Sequence, residues 1–183
     1  MGRGRRQRTV AAIIRAAPKK KWSPPVAGAE QSIYVGVRPE TLFSVITDYE
    51  SYPQFLSDME DAKVVSRDGS VVEVEFTLNL IKRVRYTLRL TEEAPNKVSW
   101  SLVEGMFKRN DGSWRLVEQP DGRTKATYRI ELAVGVFLPG AIVHRLVGQT
   151  LPATLEAFRD RAEAQAIEKG PGFVDEAGSE DSP

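Results

Sequence analysis

The stretch SVVEVEFTLNL, residues 70–80, alternates apolar and polar side chains from Val72 to its end. A period of two places successive side chains on opposite faces of a β-strand. Its polar face carries two acids, a threonine and an asparagine, and its apolar face holds Val72, Val74, Phe76, Leu78 and Leu80. The stretch therefore predicts a strand with one face in a core and the other in solvent.

The same alternation recurs along the middle of the chain, in KRVRYTLRL (82–90), NKVSWSL (96–102), GSWRL (112–116) and TKATYRIELAV (124–134). Turn signals separate the repeats, at Asp68-Gly69, Pro95-Asn96, Asp111-Gly112 and Asp121-Gly122. Another strand is predicted from about Ala62, and a first one over QSIYVGV (31–37). Together these segments predict an antiparallel sheet of about seven strands that is solvated on one side.

Helical patterns flank the sheet segments. PETLFSVITDY (39–49) starts with a proline and spaces its apolar residues for a helix, and Pro53 then favours a second short helix over YPQFL. From Leu138 the period becomes 3.6 and predicts a long helix, kinked at Pro152 and ending at Gly170-Pro171. The predicted class is α+β: a curved sheet wrapped on a long C-terminal helix, with two short helices after strand 1.

Composition excludes several kinds of site. The chain has no cysteine and a single histidine, His144, which rules out disulfides and thiol nucleophiles and leaves little for a catalytic triad or a zinc centre. No metal site is predicted. No apolar run approaches the ~20 residues of a membrane span.

Charge is unevenly distributed. Residues 1–21 carry eight arginines and lysines and no acid, whereas the segment from Gly170 carries four acids and no base. We predict a basic flexible arm and linker (1–28), one folded domain (29–169) and an acidic disordered tail (170–183). The arm is either solvated or in contact with an anionic membrane or RNA phosphate. Because the body lacks a basic stripe, nucleic acid is not the expected partner.

The arm does not have the pattern of a secretory signal. Its apolar piece, TVAAIIRAA, is broken by Arg15 and is followed by PKKKWSPP rather than by a small-residue cleavage site. The expected location is the cytoplasm, with peripheral membrane contact through residues 1–21.

The inward positions of the predicted sheet are rich in aromatic residues. A coiled sheet around a single helix can leave a cavity, although inward aromatic residues also make ordinary cores. Tyrosine and tryptophan bring an OH or NH that needs a partner when buried. If a cavity exists, its wall suits a planar, mostly apolar ligand with a few oxygens and includes Phe76, Tyr86, Trp100, Trp114 and Tyr128.

Three segments resemble one branch of the START-like (SRPBCC) superfamily, the branch of polyketide cyclase/dehydrase-type and coenzyme Q-binding proteins. They are DYESYPQFL (48–56), KVSWSLVEGMFKRNDGSWRL (97–116) and LEAFRDRAEA (155–164). The branch has Y-P-x-F-L after its first helix, a tryptophan strand ending in glycine before a G-x-W strand, and a terminal helix ending in F-x-x-R-A. The resemblance spans about residues 31–166. Ser57 and Asp58 depart from it, because many members have proline and tryptophan there.

The resemblance implies a helix-grip fold with a hydrophobic tunnel between the sheet and the long helix. The implied cavity residues are Phe76, Leu78, Tyr86, Leu88, Trp100, Leu102, Trp114, Tyr128, Ile130, Leu132, Val143, Val147 and Leu151. The implied tunnel mouth consists of Tyr49, Tyr52, Pro53, Phe55, Leu56, Met106 and Phe107.

The favoured function is binding of a hydrophobic ligand, a lipid or an isoprenoid quinone, with delivery at a membrane surface. This function needs no cofactor beyond the bound quinone or lipid itself. One alternative is a polyketide cyclase or aromatase, with Tyr86, Tyr128 and His144 as acid–base candidates and Arg85 or Arg129 as anion stabilisers if they face inward. Another is a ribosome- or RNA-associated factor that uses the basic arm. The sequence leaves catalysis and oligomeric state open.

Overall fold

The structure, a computed structural model, describes residues 26–80, 82–134 and 151–169. Its elements, in chain order, are β1 (Val26–Val35), α1 (Pro39–Thr47), a 3₁₀ helix (Tyr49–Gln54), β2 (Met59–Asp68), β3 (Val71–Asn79), β4 (Arg83–Glu93), β5 (Lys97–Gly105), β6 (Phe107–Glu118), β7 (Thr124–Val134) and α2 (Leu151–Lys169).

All seven strands form one antiparallel sheet in the order β1-β7-β6-β5-β4-β3-β2. Register shifts interrupt the β2–β3, β4–β5 and β6–β7 ladders. Such bulges increase the local twist and bend a strand, so the sheet curves toward its apolar face. The predicted α+β helix-grip fold, with about seven strands and two short helices after strand 1, is confirmed.

Strand β1 is longer at its start than predicted. It begins at Val26 rather than Gln31, inside the segment predicted as linker, and it ends at Val35. It pairs with β7 continuously from Val26–Ala133 to Val35–Thr124. The alternation was weak here because Ala27, Gly28 and Ala29 are too small to mark a face, and pairing with the full length of β7 decides the boundary.

The predicted turn at Asp111-Gly112 is wrong, because both residues lie inside β6. A Cβ built on Gly112 would lie 2.3 Å from the carbonyl oxygen of Arg129 and 2.3 Å from Cζ2 of Trp100. The glycine is therefore needed for close packing beneath the indole and not for a reversal of the chain. The other three predicted turns, at Asp68-Gly69, Pro95-Asn96 and Asp121-Gly122, do connect strands. Two of them place a glycine in the left-handed region, Gly69 at φ +55° and Gly122 at φ +78°.

The core lies between the inner face of the sheet and the helices. Helix α1 buries Leu42, Val45 and Ile46, and α2 buries Leu155, Phe158 and Ala162. The predicted helical residues before Leu151, including Val143, His144 and Val147, and the predicted arm and tail lie outside the described residues. No helix in the described ranges is long and apolar enough to cross a membrane.

Ring contacts join three elements at the middle of α2. The ring of Phe158 lies 5.1 Å from Tyr52, 5.1 Å from Phe55 and 5.3 Å from Trp114, centroid to centroid. Arg161 adds a hydrogen bond of 3.1 Å from Nη2 to Oε1 of Gln54. These contacts fix the 3₁₀ helix between the sheet and α2, which positions it beside the site described next.

Candidate functional site: a cavity between the sheet and the C-terminal helix

A cavity of about 450 Å³ lies between the inner face of the sheet, the 3₁₀ helix and the first turns of α2. Small-molecule sites typically enclose about 300–1,000 Å³ and are mostly apolar with a few placed polar groups. Aliphatic and aromatic side chains form most of this wall. The space is therefore of the size and character that a small hydrophobic molecule needs.

Most of the residues that the resemblance implied for the cavity do line it. They are Phe76, Leu78, Tyr86, Leu88, Trp100, Trp114, Tyr128, Ile130, Leu132 and Leu151. Leu102 does not: it is half-buried against the core, past the Trp100–Gly112 pair at which the β5–β6 ladder ends. Val143 and Val147 lie outside the described residues.

The predicted mouth divides into two groups. Tyr52, Phe55, Leu56 and Phe107 line the cavity. The other three, Tyr49, Pro53 and Met106, do not, because Pro53 and Met106 point to solvent and Tyr49 is buried elsewhere in the core.

Tyr49 has a structural role away from the cavity. It is 1% exposed, and its hydroxyl donates a 2.9 Å hydrogen bond to Oε1 of Glu92 on β4. The other carboxylate oxygen of Glu92 accepts a 3.0 Å bond from Arg67 on β2. Tyr49 thus anchors the 3₁₀ helix to the sheet, while Tyr52 from the same helix faces the cavity.

Further wall residues were not among the predicted site residues: Ile46, Ser57, Asp58, Met59, Leu90, Val98, Asn110, Ala153, Thr154, Ala157 and Phe158. The alternation of the strands could have predicted Leu90 and Val98 as inward residues, and the apolar stripe of the helix could have predicted Phe158. Asn110 was missed because a turn was predicted directly after it, at Asp111-Gly112. Ser57 and Asp58 follow the 3₁₀ helix and obey no periodic pattern.

Three polar side chains of the sheet are available to a ligand on the wall. Asn110 is 5% exposed and its Oδ1 accepts a 3.2 Å hydrogen bond from Nε1 of Trp100, which leaves the amide NH₂ for other partners. Tyr86 and Tyr128, each with a phenol hydroxyl, also line the cavity. Within the described part of the chain, no hydrogen bond engages these hydroxyls or that NH₂. A ligand oxygen in the cavity could therefore accept hydrogen bonds from them.

The phenols stay neutral at ordinary pH. Burial raises the pKa of Tyr52, Tyr86 and Tyr128, and the neighbouring Tyr86 raises the pKa of Tyr128 further. Tyr52 already donates a 2.5 Å hydrogen bond to the carbonyl of Ile46. Tyr86 and Tyr128 are therefore neutral donors and not bases.

The arginines considered for a catalytic role face away from the cavity. Arg85 lies on the outer face of the sheet, 3.8 Å from Glu75, and Arg129 is paired with Glu131 at 3.0 Å. His144 is outside the described residues. The residues that the structure describes contain no group of side chains that could hold a metal ion.

The family model described as polyketide cyclase / dehydrase and lipid transport matches residues 35–159. The chain belongs to this family, and the START-like resemblance of its sequence is confirmed. The match runs from the last residue of β1 to the middle of α2, and every wall residue of the cavity lies within it.

Individual proteins agree with this assignment. An uncharacterized 17.2 kDa protein of Streptomyces lincolnensis is 26% identical over 152 residues, which is 82% of this chain and 91% of that protein. The Zhui aromatase/cyclase from Streptomyces sp. R1128 superposes with a TM-score of 0.70 at 13% identity, covering 77% of this chain and 96% of that one. A START superfamily protein from Mycobacterium smegmatis has a TM-score of 0.67 at 20% identity, covering 76% and 99%.

A STAR-related lipid transfer protein from Xanthomonas axonopodis is also similar, with a TM-score of 0.64 at 16% identity over 74% of this chain and 85% of that one. At these identities the likeness of the solved structures shows the fold alone. Family and fold together fit a protein that holds a hydrophobic small molecule.

Proposed function

We propose that this protein binds a lipid or an isoprenoid quinone in the cavity and carries it. The observation behind the proposal is the unfilled space of about 450 Å³ enclosed by apolar side chains. Protein interiors are close-packed, and large empty cavities destabilise the fold. A chain that keeps such a space gains stability when an apolar molecule fills it.

The wall chemistry supports a ligand that is mostly hydrocarbon with a few oxygens. Burial of apolar surface contributes about 25 cal/mol per Å². Hydrogen bonds to ligand oxygens can come from Tyr86, Tyr128 and Asn110, which all line this space. Binding of this kind requires no proton transfer and no further cofactor.

The proposal is tested by filling the cavity with a side chain. Ala157 lines the wall from α2, whereas Ala164 on the same helix is exposed. Ala157→Trp should lower the affinity for the neutral fluorophore N-phenyl-1-naphthylamine by at least about tenfold, because the indole occupies the space the probe needs. Ala164→Trp should bind the probe like the wild type. Organic extraction and mass spectrometry of the wild-type protein purified from cells should also release an apolar molecule.

Two outcomes contradict the proposal. Either the wild type shows no binding of the fluorophore and yields no extractable molecule, or Ala157→Trp remains folded and binds as well as Ala164→Trp.

A second candidate is cyclisation of a polyketide, and the observation that favours it is the pair of free phenol hydroxyls on the wall. Tyr86 and Tyr128 could donate hydrogen bonds to carbonyl oxygens of a folded chain. The two functions differ in what leaves the cavity. A carrier releases its ligand unchanged, whereas a cyclase releases a product whose rate of formation falls in Tyr86→Phe and Tyr128→Phe.

A further inference from the structure

One edge of the cavity carries a carboxylate. The connection between the 3₁₀ helix and β2 gives four consecutive wall residues, from Phe55 to Asp58. Helix α2 contributes Ala153, Thr154 and Ala157 to the wall. Ser57 and Ala153 are exposed, so the wall reaches the molecular surface at both segments.

Asp58 differs from the paired acids of the sheet. Several acidic side chains of the sheet are paired with arginines, as in Glu60–Arg83, Glu73–Arg89, Glu75–Arg85, Glu92–Arg67 and Glu131–Arg109. The carboxylate of Asp58 has no ion pair or hydrogen bond within the described ranges, where only its backbone carbonyl is engaged, by the amide of Asn79 at 2.9 Å.

The rest of the wall does not neutralise this charge. Among the described residues that line the cavity there is no lysine, arginine or histidine, and Asp58 is the only acid. Next to an apolar space the effective dielectric constant is lower than in water, so a charge there acts more strongly on an incoming group. An unpaired carboxylate attracts hydrogen-bond donors and repels anions.

We propose that Asp58 determines which head group the cavity accepts: a neutral or cationic amphiphile with a hydroxyl or amine at its outer end, and not a carboxylate or phosphate. This inference rests on the proposed binding function and narrows its ligand class. A hydroxyl placed at the mouth would donate a charge-assisted hydrogen bond to Asp58, while its apolar body lies along the aromatic wall. A free fatty acid would bring a second negative charge to the same edge.

The experiment compares two probes of equal chain length, oleyl alcohol and oleate, as competitors of N-phenyl-1-naphthylamine in mildly alkaline buffer. An apolar cavity disfavours any carboxylate, so the deciding quantity is the change in the alcohol-to-oleate preference on mutation. In Asp58→Asn the preference for the alcohol should shrink by about tenfold or more, because the repulsion between two nearby charges is removed.

Asp61→Asn is the matched control. Asp61 is exposed on β2, three residues from Asp58, and does not line the cavity. It should keep the wild-type preference. If Asp58→Asn also keeps it, or both variants lose it equally, this inference is wrong while the carrier function stands. If the wild type binds neither the fluorophore nor the alcohol, both this inference and the proposed binding function are wrong.

Discussion

Four tyrosines of the core have three different roles. Tyr49 is held by Glu92, and Tyr52 is held by the carbonyl of Ile46. Tyr86 and Tyr128 have no such protein partner among the described residues, and both line the cavity. At the scale of single residues, satisfied phenols stabilise the fold and unsatisfied phenols are available for a ligand.

These buried phenols predict a pH dependence of stability. Burial raises the folded-state pKa of Tyr86 above the unfolded value of 10.0. The stabilisation is therefore complete below about pH 10 and is lost as the pH rises toward the folded pKa, because the unfolded chain releases the proton first. In Tyr86→Phe the free energy of unfolding should fall less steeply above pH 10, by about 1.4 kcal/mol per pH unit.

Urea unfolding at a series of pH values from 8 to about 11 measures this slope. Tyr34→Phe is the control, because Tyr34 is 52% exposed and should keep the wild-type decline. An identical slope in Tyr86→Phe and the wild type would contradict the burial argument.

At the scale of elements, β5 and β6 run together only over a short distance. Their ladder extends from Lys97–Arg115 to Trp100–Gly112, after which β5 continues along β4 and β6 along β7. Trp100 lies over Gly112 at the end of this ladder, and its ring is 5.3 Å from that of Tyr128. The position of this indole, and with it part of the cavity wall, depends on the absence of a side chain at residue 112.

Gly112→Ala should therefore be strongly destabilising. Its Cβ would meet both the carbonyl oxygen of Arg129 and the ring of Trp100 at 2.3 Å, and such overpacking costs about 1–3 kcal/mol. Gly28→Ala is the matched change in β1, where the nearest atom to a new Cβ is 3.6 Å away. It should alter the free energy of unfolding by less than about 0.5 kcal/mol. Urea unfolding of both variants checks the difference, and equal stability would contradict the close packing.

At the scale of the whole molecule, the segment with the highest density of positive charge is separate in sequence from the residues that line the cavity. Eight of the 26 lysines and arginines lie within residues 1–21, ahead of the folded sheet, and many charges on the outer face of that sheet are paired with one another. A basic segment near an anionic membrane contributes about 1 kcal/mol per lysine or arginine. We propose that residues 1–21 bring the cavity to such a surface.

Deletion of residues 1–21 should weaken co-sedimentation with vesicles that contain an anionic phospholipid. Binding to purely zwitterionic vesicles should be weak with or without the arm, and raised salt should reduce the difference. The affinity for N-phenyl-1-naphthylamine should not change, because the cavity wall lies elsewhere. Unaltered binding of the truncated protein to anionic vesicles would exclude a membrane role for the arm.

The sequence alone determined the strands, their faces and the order of the elements. Alternation over residues 70–134 is a local property, since a strand with one buried face needs an apolar side chain at every second position. Helical spacing after Pro39 and around Phe158 is local in the same way. These patterns and the resemblance predicted the fold, and ten of the thirteen residues predicted for the cavity do line it.

Only the tertiary structure decided which inward residues line the cavity and which pack against one another in the core. The alternation along β5 places Trp100 and Leu102 on the same face. The β5–β6 ladder ends at Trp100, however, and only Trp100 lines the cavity. Tyr49 and Tyr52 belong to one short helix, but Glu92, 43 positions away in the sequence, takes Tyr49 out of the mouth. Asn110, Asp58 and Ala157 reach the wall through contacts between distant segments, and no local periodicity encodes such contacts.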